Sequence, residues 1–297
     1  MQLVLQNLVN GILSGGILAL VALGFSLVYG IMNIINLAHG AFLMLGAYIT
    51  WQLWSTFGLD PILAVPIAFV VLFAFGYGIQ RGVINRVVRA PVLATFLLTF
   101  ALSLLIETTA LFVWTGDTRG VQTAYTGANF TLLGVTVPWA KLLTLVVALA
   151  ITGILYLWLH RSRLGRAIRA TSMDVGAAQM VGVRVAHVYG ITYALGAGLA
   201  AAAGALLTLS YPLTPTMGDP FLIKGFVVCV LGGLGSVEGA LVGGLVYGIV
   251  SSFATQFDVT IAGQHLSGTG LQDVLALVVL LVVLIVRPTG LVGRATA

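Results

Sequence analysis

Apolar residues fill this chain in long unbroken runs, and short polar intervals between them carry nearly all of its charge. The runs fall at about 3–29, 41–54, 61–80, 92–114, 139–160, 189–209, 221–237, 240–253 and 271–286. A transmembrane helix needs about 20 mostly apolar residues. The pattern therefore predicts an all-α fold, a polytopic membrane helical bundle with about eight transmembrane helices, or nine if every run crosses.

Two intervals read as breaks inside the membrane rather than loops outside it. In the first, Asn33, Asn36 and His39 recur every three residues. Polar side chains at that depth are costly unless they face a cavity or a partner. Residues 3–55 could then cross twice or include a half-crossing. In the second, glycines crowd the stretch LGGLGSVEG, with Gly233 and Gly235 in its middle and Glu238 near its end. Each break precedes a small-residue helix, and His39-Gly40-Ala41 echoes Glu238-Gly239-Ala240. Interrupted helices in corresponding places of two halves point to transporter repeats and to the transport pathway, so the expected bundle has broken helices and two related halves.

Within the run 92–114, Thr95, Thr99, Ser103 and Glu107 recur every four residues and stay near one helix face. Their hydroxyls can equally bond back to their own helix. Glu107 lies about 24 Å along the helix from Pro91 at 1.5 Å per residue, which puts it near the outer interface, where snorkelling accounts for it. The run 189–209 is rich in Gly and Ala, a helix built for close packing with its neighbours.

Charge then fixes sidedness. The chain is 60% hydrophobic and 7% charged with a mean hydropathy of +1.11, too few charges to cover a water-soluble globule. Ten of the thirteen basic residues fall in three intervals: Arg81, Arg86 and Arg89; Arg161, Arg163, Arg166, Arg169 and Arg184; Arg287 and Arg294. Asp60, Asp117, Asp219 and Asp258 fall in the others. Lys and Arg stay cytoplasmic, so the three basic intervals and the C-terminus are expected inside. The net charge of +5 thus reports topology rather than nucleic-acid binding. The N-terminus has no basic stretch before its apolar run and reads as a retained first span, not a signal peptide. Cys229 is the single cysteine and lies in an apolar run, which excludes a disulfide framework.

The longest basic interval, 161–185, contains a short helix candidate. Asp174 can cap it, Ala177, Ala178, Met180 and Val181 give it a small apolar face, and Gly182 can end it in the left-handed conformation. About two turns are marginal in water, so such a helix either lies on its own domain or docks into a partner. No phosphate-binding GxxxxGK[ST] loop, metalloprotease spacing or Gly-x-Ser-x-Gly elbow occurs, and the four histidines are scattered. If ATP drives this protein, the ATPase is another chain. An ion-coupled transporter would rely on His39, Glu107, Lys224, Glu238 or Asp273, most of them near predicted helix ends, and no ring of repeated selectivity residues supports a channel.

Several separate stretches in order, NGILSGGILALVALGFSLVYGIMNIINLAHGAFLMLGAY, GRAIRATSMDVGAAQMVGV, LGGLGSVEGALVGG and RPTGLVG, resemble the smaller permease of the high-affinity branched-chain amino-acid ABC importers, over nearly the whole chain. The resemblance implies one permease domain over 1–297 in a bacterial inner membrane, without cofactor or metal. It implies as partners a second related permease, two ABC ATPase subunits and a periplasmic or lipid-anchored binding protein that delivers leucine, isoleucine or valine. Carried over by position, coupling to the ATPases falls on Arg166, Arg169, Asp174, Ala177, Ala178, Met180 and Gly182 in the loop 161–185. The translocation pathway falls on Asn33, Asn36, His39, Thr99, Ser103, Gly233, Gly235 and Glu238. Related permeases serve urea and short amides, and the motifs do not separate those substrates from branched-chain amino acids.

Overall fold

The computed structural model describes residues 2–88, 90–132, 134–256, 259–261, 264–266 and 268–293. Arg89, Asp258 and Arg294, used above to argue sidedness, lie outside the described residues. In chain order the helices are α1 (Gln2–Met32), α2 (Ala38–Phe57), α3 (Pro61–Ile79) running through a π-helical turn (Gln80–Ile84) into the single turn α4 (Asn85–Val87), and α5 (Val92–Trp114). A hairpin of β1 (Asn129–Leu132) and β2 (Val135–Pro138) leads to α6 (Trp139–Arg161), α7 (Arg163–Met173) and α8 (Val175–Met180). Then come α9 (Val185–Leu207), α10 (Gly218–Gly232), α11 (Val237–Ala254), the hairpin β3 (Val259–Ile261) with β4 (Gln264–Leu266), and α12 (Gly268–Val286).

The bundle is helical as expected, and the hairpins are additions. The interval 116–138 reads as turn-rich polar chain, yet β1 and β2 form because their apolar positions find cover. Val135 and Val137 bury against Leu13 of α1, and Phe130 packs on Trp139 with ring centroids 4.9 Å apart.

Side-chain bonds define the two ends of the bundle. Gln6 of α1 donates to the Thr136 carbonyl and accepts from the Thr136 amide, each at 2.8 Å. Asp60 caps α3 by accepting from the Ile62 amide at 2.9 Å, and the Tyr125 hydroxyl donates to the same carboxylate at 2.9 Å. Arg119 sits 4.2 Å over the Trp51 ring and pairs its backbone with Leu213, which explains an arginine away from the other basic residues. These contacts gather the start of α1, the starts of α3 and α6 and the end of α9 at one end. At the other end stand the π-helical turn, α7, α8 and the segment after α12, where the amides of Leu291 and Val292 donate to the carbonyls of Leu231 and Gly232. That end carries Arg81, Arg86, Arg161, Arg163, Arg166, Arg169, Arg184 and Arg287 and is called the basic end below.

Among the described residues, six helices are long and apolar enough to cross a membrane: α1, α3 with its extension to Val87, α5, α6, α9 and α11. In α12 the apolar stretch is Leu271–Val286. Two helices begin inside the bundle. His39, in the first turn of α2, bonds to the Val21 carbonyl, about 16 Å back along α1 from its end at Met32. Helix α2 therefore starts beside the middle of α1, and its 20 residues run about 30 Å from there. The start of α10 meets the start of α2, where a Cβ on Gly40 would come within 2.8 Å of the Gly218 carbonyl oxygen. With 15 residues, α10 spans about 22 Å, short of a hydrocarbon core of about 30 Å. Asp219, expected in an outer loop, therefore opens a helix that starts inside the bundle.

The contacts are reciprocal between two halves. Helix α1 packs on α9, α10 and α11, while α9 packs on α1, α2 and α3, and α2 meets α10. Pairing α1 with α9, α2 with α10 and α3 with α11 relates helices that run in opposite directions, an inverted repeat. Short sequence matches sit at equivalent places: Ala22-Leu23-Gly24 with Ala194-Leu195-Gly196, and Tyr77-Gly78-Ile79 with Tyr247-Gly248-Ile249. The echo of His39-Gly40-Ala41 in Glu238-Gly239-Ala240 joins non-equivalent helices, because α2 corresponds to α10 and Glu238 belongs to α11.

Glycines set the distances. A Cβ on Gly24 would come 3.0 Å from the Gly196 carbonyl oxygen, and one on Gly15 would come 2.7 Å from that of Gly244. Gly11 and Gly15 of α1 face Gly248 and Gly244 of α11, so both helices carry small residues four apart at the crossing. We expect Gly15→Leu to lower the thermal midpoint of the purified protein by an amount matching about 1–3 kcal/mol of overpacking. Gly153→Ala, at an open position of α6, should leave it unchanged.

The Tyr125–Asp60 tie gives a second expectation. Burial first, and then the Asp60 carboxylate, raise the Tyr125 phenol from 10.0 to about 12. A raised acid binds its proton more tightly when folded, so this stabilisation is full below pH 10.0 and is lost as pH rises towards about 12. Ultraviolet phenolate absorbance, compared between wild type and Tyr125→Phe, should show the Tyr125 transition near pH 12; a transition near pH 10 would mean that the tie is absent.

Candidate functional site

Three regions hold the residues that the sequence singles out. The first is the break after α1. Asn33 takes the left-handed conformation, with φ of 52°, and turns the chain out of the helix. The extended residues that follow leave backbone groups without helical partners. Thr99 of α5 supplies partners, accepting from the Leu37 amide at 3.3 Å and donating to the Ile35 carbonyl at 3.1 Å. Asn36 is buried, and its Oδ1 accepts from the Tyr193 hydroxyl of α9 at 3.2 Å. His39 is buried edge-on to Phe25, and its Nε2 donates to the Val21 carbonyl at 3.0 Å, which fixes the tautomer. The Nδ1 of His39 and the Nδ2 of Asn36 have no hydrogen-bond partner among the described residues.

The face of α5 that holds Thr99 behaves in two ways. Thr95 bonds back to the Val92 carbonyl at 2.8 Å, the purely local use of a hydroxyl, whereas Thr99 bonds both to its own helix and across to the break. Ser103 donates to Glu107 at 2.8 Å, which holds one carboxylate oxygen along its own helix while the side chain stays partly exposed.

The second region is the break between α10 and α11. Gly233 and Gly235 have φ of 109° and 81°, conformations closed to most side chains. Ser26 of α1 accepts from the Gly235 amide at 3.0 Å, and Ser236 caps α11 by accepting from the Gly239 amide at 2.9 Å. Gly233 is packed against Thr289 and Gly293 of the segment after α12, and Glu238 is exposed. The first break is bonded to α5 and α9, the second to α1 and the C-terminal segment. Gly235 packs on Gly30, three residues before Asn33, so the two breaks approach one another across the end of α1.

The third region is the loop 161–185 at the basic end. Ser162 caps α7 through the Gly165 amide at 2.8 Å, and Gly165, Ile168 and Thr171 turn inward on one face. Arg169 reaches back to the Leu159 carbonyl, and Arg166 to that of Arg161 at 3.3 Å. Asp174 caps α8 by accepting from the Ala177 amide at 2.9 Å. Gly182 closes it with φ of 84°, its amide donating to the Gln179 carbonyl at 3.0 Å. Ala178 alone of the small apolar face is buried, at 2% exposure, whereas Met173, Met180 and Val181 stand out at 88%, 84% and 78%. The loop therefore presents a capped, rigid tip with an apolar surface turned away from the bundle.

Sequence reasoning missed three partners in these regions. Tyr193 and Ser26 each lie inside an apolar helix, and the signal that could have found them is a lone hydroxyl that must be satisfied when buried. Helix α7 carries an apolar residue on every third or fourth position between arginines, a pattern legible as an amphipathic helix. Among the described residues no cluster of His, Cys, Asp or Glu could hold a metal ion.

The chain matches the family model described as "Branched-chain amino acid transport system / permease component" over residues 7–285. It is 34% identical to the high-affinity branched-chain amino acid transport system permease protein BraD of Pseudomonas aeruginosa, covering 98% of this chain and 96% of that one. It is 30% identical to the permease protein LivH of Escherichia coli over 98% of this chain and 96% of the relative. A probable LivH of Methanocaldococcus jannaschii is also 30% identical, over 96% of this chain and 91% of the relative. Full-length matches of this kind, on a helical bundle with broken helices and two inverted halves, make the chain a member of the family of branched-chain amino acid transport permeases.

Proposed function

We propose that this chain is the membrane-spanning permease subunit of an ATP-driven importer of leucine, isoleucine and valine, with ATP hydrolysed on separate chains that dock at the loop 161–185. The observation that carries the reading is the tip of that loop. An apolar surface of Met173 at the end of α7, Met180 at the end of α8 and Val181 just after it stands clear of the bundle around a helix capped at both ends. Apolar groups held rigidly in water gain most when a partner covers them, at about 25 cal/mol per Å² removed from water. The short helix α8 alone is too small to be stable; its caps and the buried Ala178 hold it to α7 and α9, so a push on the tip reaches the core helices.

In this reading the basic end faces the cytoplasm, in keeping with its arginines. A second related permease and two ATPase subunits complete the assembly, and a periplasmic or lipid-anchored binding protein delivers substrate at the opposite end. The pathway runs past Asn33, Asn36, His39 and Thr99, where irregular backbone lies inside the bundle, a feature tolerated where it is buried in protein or lines a cavity. The names of the relatives at 30% identity or more over nearly the whole chain, BraD and the LivH proteins, favour those substrates over urea or short amides.

Ala178→Asp would force a carboxylate into the buried seat of α8, and Gly182→Val would place a β-branched residue at φ of 84°. Each should reduce substrate-stimulated ATP hydrolysis by the reconstituted transporter to its basal rate while membrane insertion stays intact. Unchanged stimulation would remove the coupling role of the loop. In proteoliposomes holding this chain, the neighbouring permease, the ATPases and the binding protein, labelled leucine should accumulate only with ATP and the binding protein. Uptake of urea alone would keep the architecture and change the substrate, and uptake without ATP would exclude an ATP-driven importer.

A further inference from the structure

At the basic end a cavity of about 460 Å³ opens between the π-helical turn and the start of α9. Its polar lining is Tyr77, Gln80, Arg81, Asn85, Arg184 and His187, with no carboxylate among the lining residues. Among the described residues the bundle forms a salt bridge only between Lys224 and Asp273, so neither Arg81 nor Arg184 is paired. Gln80 is buried at 1% exposure, and neither atom of its side-chain amide has a hydrogen-bond partner among the described residues. Tyr77 and His187 approach at 3.4 Å through the hydroxyl and Nδ1. The two arginines stand unpaired around one space with the His187 ring beside them, while the Gln80 amide is enclosed beneath it. Gln80 itself starts the π-helical turn, a departure from α-helix that recurs at functional sites.

The other half of the inverted repeat contains a counterpart with a different outcome. A cavity of about 240 Å³ lies between α1 and α11, with Tyr247 at the place equivalent to Tyr77. Its Lys224 is paired with Asp273 at 3.3 Å, and Tyr247 donates to the same carboxylate at 2.9 Å. Lys141 also lines that cavity without an ion pair among the described residues, so one half neutralises one of its two cations internally while the other leaves both arginines unpaired.

We propose that the cavity at the basic end binds a phosphate-bearing anion, and that the anion is the headgroup of a phospholipid. Arg guanidinium groups match phosphate oxygens in bidentate geometry. The lipid, rather than a free phosphate ester, follows from what lies beside the cavity. Ile67, Val70 and Ala74 continue the line of Tyr77 and Arg81 along α3 at spacings of three and four, and all three are exposed. A headgroup held by the arginines would lay an acyl chain along that apolar strip. Placing the lipid in the cytoplasmic leaflet rests on the sidedness proposed above; the binding itself does not.

The test uses the full-length chain purified in detergent and offered equal amounts of phosphatidylglycerol and phosphatidylcholine, with retained lipid counted by native mass spectrometry. The wild type should retain phosphatidylglycerol about tenfold over phosphatidylcholine. The double variant Arg81→Gln/Arg184→Gln should lose the preference, while Arg86→Gln, exposed nearby but outside the cavity, should keep it. Equal retention of both lipids by the wild type, a preference that survives the double variant, or an equal loss in Arg86→Gln would overturn the proposal. Inorganic phosphate separates the sources. If it binds in an arginine-dependent way while neither lipid is preferred, the ligand is a free phosphate and the headgroup assignment falls.

Discussion

The closeness of α1 and α9 where they cross at Gly24 and Gly196 is the constraint on which the rest of this bundle depends. Each glycine would drive a Cβ against the backbone of the other helix, to 3.0 and 3.1 Å of the facing carbonyl oxygen. In lipid there is no hydrophobic drive to bring helices together, so van der Waals contact between closely approaching backbones must supply much of the association. Once these two long helices are fixed, the inverted repeat follows. Helix α3 lies along α9 as α11 lies along α1, and α2 and α10, which both begin inside the bundle, meet start to start at Gly40 and Gly218.

A helix that begins inside the bundle exposes the free amides of its first turn within the membrane, where no water is at hand to satisfy them. The side chains around each break meet part of that demand. Thr99 reaches from α5 to both sides of the segment 33–37, and Ser26 reaches from α1 to Gly235. These hydroxyls are the means by which irregular backbone is tolerated at depth. The same economy explains why Asn36 and Tyr193 are found bonded in the core: the Tyr193 hydroxyl and the Asn36 Oδ1 satisfy one another, where a group left unsatisfied costs about 1–3 kcal/mol.

Across the bundle, charge and packing divide the labour. The interior is held by small residues in contact, whereas nearly all arginines stand at one end, where α7 and α8 are tied to the core by caps and by backbone carbonyls. That arrangement leaves two surfaces uncovered. One is the apolar tip at Met173, Met180 and Val181, read here as the docking point of a partner, and the other is the arginine-lined cavity beside the π-helical turn, read as a phosphate site.

The sequence by itself determined the helical class, the bounds of α5 and nearly those of α6, the capped turn from Asp174 to Gly182, and the positions of both breaks. These are local matters: apolar run length, one capping oxygen and glycine or asparagine at positive φ act over a few residues and are written in order along the chain. Only the tertiary structure decided which helices pair. The echo between His39-Gly40-Ala41 and Glu238-Gly239-Ala240 shares Gly-Ala after a break, and the Tyr-Gly-Ile match shares three residues, yet only the second joins equivalent helices, because equivalence is a matter of contact and direction. The partners of Asn36 and the pairing of Lys224 with Asp273 were closed to the sequence for the same reason. In a chain where nearly every segment is apolar, hydropathy cannot separate a helix that faces lipid from one, such as α9, that is buried throughout. What separates them is the room that glycine and alanine leave for a neighbour's backbone, and that room has meaning only once the neighbour is in place.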